Sequence, residues 1–119
     1  MAMPIRLFHN PRCSKSREAL ALLRERGIEP EVVEYLKQPP SAAEIDRLLR
    51  LLGMEPRQLI RRGEVVYKEL GLDDPGLPRA ALIEAMANQP ILIERPIAMR
   101  GGRAVLGRPP ERVLELLDA

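Results

Sequence analysis

The chain has 119 residues and a mass of 13.4 kDa, which predicts one domain spanning 1–119 that buries roughly two thirds of its unfolded surface. Its balance of 45% hydrophobic and 30% charged residues, with a formal net charge of +2, excludes a disordered tail, collagen and a coiled-coil rod. Positive and negative residues are interleaved, and Phe8, Tyr35 and Tyr67 are the only aromatics, so no nucleic-acid face is expected. No apolar run approaches the ~18 residues of a membrane span, and the start, Met1 to Arg6, lacks a charged segment followed by an apolar one. The expectation is a cytoplasmic protein with no membrane partner.

Ile5–His9 alternates apolar and polar residues and stops at Asn10-Pro11, the pattern of a short strand ended by a turn. From Ser14 to Arg26, Ala19, Leu22 and Leu23 recur at helical spacing before Gly27. Glu31–Leu36 reads as a second strand, parallel to the first because a helix joins them. After Pro39-Pro40, Ser41 and Glu44 form a capping-box pattern, with Ile45, Leu48, Leu49 and Leu52 at i, i+3, i+4 and i+7 before Gly53. Further short helices are expected up to Asn88, punctuated by Gly63, Gly71 and Asp74-Pro75-Gly76, the last opened by Pro78. Residues of about 41–88 thus read as a helical insert. Ile97–Arg100 and Arg103–Leu106 flank Gly101-Gly102 as a hairpin, and Pro109-Pro110 opens a closing helix with Val113, Leu116 and Leu117 on one face. The order β-α-β, insert, β-β-α is that of an α/β thioredoxin-like mixed sheet.

One cysteine and one histidine exclude an internal disulfide and a Cys/His zinc site, so no metal is expected. Cys13 falls between a strand's end and a helix's start, where free backbone N–H groups and the helix dipole favour an anion. A lone cysteine is more often a small buried residue, yet Arg12, Ser14, Lys15 and Ser16 surround this one with polar groups. With Arg12, Lys15 and Arg17 close in sequence, its pKa should fall from about 8.5 toward neutrality. The same N–H groups can cradle a phosphate-like oxyanion beside the sulfur. His9 either hydrogen-bonds the thiolate or ends a strand with a solvated ring. A Cys-x-x-Cys pair would need sulfur at Ser16, and a Cys-x5-Arg loop would need arginine at Ala19. Neither exists, so a thiol that attacks an oxidised substrate must be regenerated by a thiol from another molecule.

The loop His9-Asn10-Pro11-Arg12-Cys13-Ser14-Lys15-Ser16-Arg17 resembles the nucleophile loop of the glutaredoxin-coupled arsenate reductases, the ArsC type of thioredoxin-like enzyme. Leu59-Ile60-Arg61-Arg62 is similar to that family's helical-insert arginine, Pro90–Ile97 to its Pro-Ile-Leu-x-x-Arg-Pro-Ile motif, and Gly107-Arg108-Pro109 to its last arginine. The resemblance implies Cys13 as nucleophile, His9 as the residue that tunes it, and Arg61, Arg95 and Arg108 as holders of the oxyanion. Arg62 leaves the insert arginine open by one residue. Ser14 and Ser16 are candidate substrate-binding positions in the same loop, and Pro96 matches the structural cis-proline of thioredoxin-like folds.

The implied chemistry is reduction of arsenate or a similar oxyanion, with glutathione as co-substrate, glutaredoxin as partner and no bound cofactor, in a chain expected to be monomeric. Guanidinium forks match a tetrahedral dianion and offset its repulsion from a thiolate. The alternatives are a glutathione-dependent thiol or disulfide reductase of the same fold and a redox-sensing transcriptional regulator like Spx. The regulator's usual Cys-x-x-Cys is missing here.

Overall fold

The computed structural model describes residues 3–117. Residues up to Gln38 and from Arg95 onward make one compact unit, and Pro39–Glu94 make a second.

The first unit holds a four-stranded sheet of β1 (Arg6–His9), β2 (Glu31–Glu34), β3 (Ile97–Arg100) and β4 (Arg103–Leu106), in the order β2-β1-β3-β4. Strands β1 and β2 are parallel, with Phe8 opposite Val33, while β3 runs antiparallel to β1 and β4 to β3. Helix α1 (Ser14–Glu25) joins β1 to β2 and ends at Arg26, followed by Gly27 at φ 74°, a conformation open to a residue without Cβ. The hairpin turns at Gly101-Gly102, pairing Arg100 with Arg103. Strand β2 is shorter than expected. After Glu34 the chain bends back, Lys37 and Gln38 both donating N–H to the Glu34 carbonyl at 2.9 Å.

The closing element, Pro110–Leu117, is a 3₁₀ helix rather than an α-helix. Among its buried residues, Val113 and Leu116 stand three apart and so eclipse one another along a three-residue turn. They join Ile5, Leu7, Ala19, Leu23, Ala98 and Val105 in one apolar core beneath α1.

In the second unit are α2 (Ala42–Leu52), α3 (Pro56–Leu59), α4 (Val65–Glu69), α5 (Arg79–Asn88) and a 3₁₀ turn at Pro90–Leu92. The expected insert lies wholly inside this unit, which continues through Glu94 and adds a single β-bridge, Ile60 to Ile93. The capping box on α2 forms, Ser41 Oγ accepting from Glu44 N–H at 3.1 Å and Glu44 Oε1 from Ser41 N–H at 3.3 Å. Ile45, Leu48 and Leu49 of α2 are buried, as are Leu82, Ile83 and Met86 of α5, and these two helices pack together.

Candidate active site

Strand β1 delivers the chain to a tight turn, Asn10-Pro11-Arg12-Cys13, closed by Cys13 N–H donating to the Asn10 carbonyl at 3.0 Å. Asn10 is buried and does more than end a strand. Its side-chain Oδ1 accepts from Arg12 N–H at 3.0 Å, and its own N–H donates to Ser16 Oγ at 3.0 Å. Cys13 is the N-cap of α1: its backbone is extended, its carbonyl accepts the first helical bond from Arg17, and its side chain makes no cap bond. The sulfur, half-buried and free of any disulfide, therefore stands over the open N–H groups of the first turn.

Burial has the largest effect on the thiol and opposes its ionisation. It is outweighed by the Ser16 N–H, the hydrogen bond and positive charge of Arg95, and the Lys15 N–H, so the pKa falls below the ordinary thiol value. Arg108 adds a donor from the far end of the chain, its Nη2 lying 3.8 Å from Cys13 Sγ. Its Nε donates to the Arg95 carbonyl at 2.8 Å, so the two arginines are mutually braced. Both precede prolines across cis peptide bonds, Arg95-Pro96 and Arg108-Pro109. Between them, Gly107 N–H donates to the Pro96 carbonyl at 2.8 Å.

His9 is buried, and its Nδ1 lies 2.6 Å from Ser16 Oγ, so its ring is bonded to the serine and not to the sulfur. Burial is the main cause of its lowered pKa, with Glu34 opposing and the charges of Arg24 and Arg17 assisting. A neutral ring accepts the Ser16 hydroxyl proton at Nδ1, because that hydroxyl already receives the Asn10 N–H. Ser16 is fully buried, and its hydroxyl is held by these two partners. What Ser16 presents to the sulfur is its backbone N–H. Ser14 is exposed on the first turn of α1.

Arg61 belongs to the second unit, where its guanidinium pairs with Glu64 Oε2 at 3.0 Å and with Glu94. Arg62 is exposed, so of the two it is Arg61 that is held in place. Two open clefts flank the nucleophile loop. One, of about 630 Å³, runs along α1 past Leu20 and Ala21, and the other, of about 300 Å³, lies between the loop and the end of β2. Among the described residues no group of three or more His, Cys, Asp or Glu is arranged to hold a metal ion, and no helix is long and apolar enough to cross a membrane.

A mixed sheet with one cysteine, its thiolate stabilised at the N-terminus of the first helix, defines a single-cysteine thioredoxin-like protein. The chain belongs to the ArsC family, whose model matches residues 8–116. It is 53% identical over 118 residues to the uncharacterized protein YfgD of Escherichia coli, covering 98% of this chain and 99% of that protein. It is 50% identical over 114 residues to an arsenate reductase of Neisseria meningitidis, covering 95% and 97%. The solved structure of an arsenate reductase from Vibrio cholerae superposes with a TM-score of 0.93 at 52% identity, over 98% of this chain and 99% of that one. Asn-Pro in the sequence signals only a turn, whereas the Asn10 side chain also fixes Arg12 and its N–H fixes Ser16.

Proposed function

We propose that this protein is an arsenate reductase in which Cys13 is the nucleophile and Arg95 and Arg108 hold the oxyanion. The observation that carries this reading is the convergence on one sulfur of the Ser16 and Lys15 N–H groups, Arg95 and Arg108. Arsenate, like phosphate, carries about two negative charges near neutrality. A thiolate can approach it only where fixed positive groups offset the repulsion, and rigid guanidinium forks beside the sulfur supply that at little reorganisation. Ser14 lies at the same helix start, where it can add to the anion's surroundings. His9 acts at one remove, holding Ser16 so that its N–H faces the sulfur. The part that resemblance gives to Arg61 is not used in this reading, because Glu64 and Glu94 engage that side chain.

In the first step the Cys13 thiolate bonds arsenic and an arsenic hydroxyl leaves as water, taking one proton from solvent. Glutathione's thiol forms a second S–As bond, and another oxygen leaves as water. Glutaredoxin's thiolate then attacks the glutathione sulfur. An S–S bond forms, the glutathione S–As bond breaks, and its electron pair stays on arsenic, which passes from As(V) to As(III) while two sulfurs are oxidised. Water releases arsenite from Cys13. The chain's single cysteine requires such outside thiols, and the cytoplasm keeps them reduced. The reading invokes no resident cofactor, and one chain suffices for it.

The test is arsenite formation by the purified protein with glutathione and glutaredoxin, each omitted in turn, beside Cys13→Ser. Turnover is expected only with the thiol donors and the intact cysteine. Wild-type rates from Cys13→Ser would overturn the assignment.

A further inference from the structure

We infer that the cleft of about 300 Å³ between the Asn10–Arg12 turn and the end of β2 is the docking site of the external thiol, a zwitterionic tripeptide of glutathione's class. This inference rests on the reductase reading above, which requires such a thiol but does not say where it binds. The cleft's volume is at the lower end of small-ligand sites. One wall is Asn10, Pro11 and Arg12, and the turn they form ends on Cys13 through the 3.0 Å bond from Cys13 N–H to the Asn10 carbonyl. A ligand seated here is therefore against the nucleophile's own turn. The opposite wall is Glu34, Leu36 and Lys37.

The charges of these walls are what such a ligand needs. Among the described residues the exposed Arg12 guanidinium makes no side-chain hydrogen bond or ion pair, leaving it open to a carboxylate. Lys37 and Glu34 form a loose pair at 3.6 Å, with side chains 79% and 43% exposed. An exposed pair of this kind contributes little and is readily exchanged for ligand charges. Two cations and one anion complement two carboxylates and one ammonium, the groups that a γ-glutamyl tripeptide carries. Leu36, 38% exposed, and Pro11 supply apolar contact for its methylenes. From this site the tripeptide's thiol bonds the arsenic held on Cys13, and an arsenic oxygen leaves as water with the thiol proton. No electrons pass until the later disulfide step.

The experiment uses S-methylglutathione, which binds but cannot react, titrated into the full chain and followed by backbone amide shifts. Shifts centred on Asn10, Arg12 and Glu34–Lys37 are expected in wild type. Lys37→Glu should weaken the affinity about fivefold or more, while Lys37→Arg restores it. In turnover assays the same Lys37→Glu should raise KM for glutathione, leave KM for arsenate unchanged, and leave the rate with uncharged 2-mercaptoethanol as donor unchanged. An unaltered affinity in Lys37→Glu, or shifts centred elsewhere, would overturn the inference. Binding in the cleft by a wild-type protein that turns over no arsenate would support the site and sink the reductase reading instead.

Discussion

Arg108 donates from Nε to the carbonyl oxygen of Arg95 at 2.8 Å and turns its Nη2 toward the Cys13 sulfur. One planar group thus spans two tasks, which a lysine ammonium on a flexible stem cannot do together. Arg108→Lys should lower kcat/KM for arsenate about tenfold or more, the scale of one charge-assisted hydrogen bond. Alkylation of Cys13 by neutral iodoacetamide should change much less. Sulfate or phosphate should protect Cys13 from alkylation in wild type and less in the variant. Equal loss of both reactivities would mean that Arg108 only holds the fold.

Because Arg95 hydrogen-bonds the thiolate and also acts on it by charge, Arg95→Gln should move the pH at which iodoacetamide reactivity is half-maximal upward. In wild type that midpoint is lowered from the ordinary thiol range, since the backbone N–H groups and Arg95 outweigh burial. Linkage adds a stability signature. The folded thiol ionises below the unfolded one, so its contribution is present above the unfolded pKa and disappears as pH falls through the folded pKa. Cys13→Ser should remove that part of the dependence of Tm on pH. An unshifted midpoint in Arg95→Gln would deny this arginine its effect on the sulfur.

His9 is held neutral, its pKa lowered chiefly by burial. The unfolded chain therefore takes up the proton first as pH falls below about 6.5, and stability must drop from there down to the folded pKa. Thermal melts in the Cys13→Ser background, where the thiol is silent, should show this loss between neutral and mildly acid pH. His9→Gln should flatten it. A curve of the same slope with glutamine at position 9 would assign the loss to other groups.

Ser16→Ala removes the hydroxyl that serves both His9 Nδ1 and Asn10 N–H. Leaving buried polar groups unsatisfied costs about 1–3 kcal/mol, to be read by urea denaturation. The Cys13 pKa should move little, because the N–H that the sulfur uses is in the backbone. A raised KM for arsenate with undiminished stability would instead place the hydroxyl on the substrate.

Gly107 is required for space. A Cβ there would stand 2.7 Å from Pro96 Cγ and 3.0 Å from Val113 Cγ1, so Gly107→Ala should destabilise the fold by about 1–3 kcal/mol through overpacking. It should also loosen Arg95 and Arg108, lowering arsenate turnover. Gly102→Ala, where nothing lies within 4 Å of the added carbon, is the control and should do neither. Equal behaviour of the two variants would refute the steric account.

Several elements were legible in the sequence because their causes lie within a few residues of each other. The Ser41–Glu44 capping box, the α1 stripe ending before Gly27, and the Gly101-Gly102 hairpin each depend on short-range hydrogen bonds or on a backbone angle that glycine permits. The 3₁₀ form of Pro110–Leu117 was not legible. Val113 and Leu116 suit either helix, and packing against the core selects between them. The early end of β2 was hidden in the same way, since Tyr35, a good strand former, and the apolar Leu36 extend the run that the bend after Glu34 takes out of the ladder.

By itself the sequence determined that Cys13 sits at a helix start, that it has no partner sulfur, and that four motifs of one family occur in order along the chain. The tertiary structure decided which groups meet it. Arg108 lies 95 positions from Cys13, and only the order β2-β1-β3-β4, with β3 antiparallel to β1, carries Arg95 and Arg108 back to the end of β1. Likewise, only burial revealed that the Ser16 hydroxyl answers to His9 and Asn10. A side chain's polarity is written in its residue type, but its partner is fixed by where the folded backbone leaves an unsatisfied donor or acceptor.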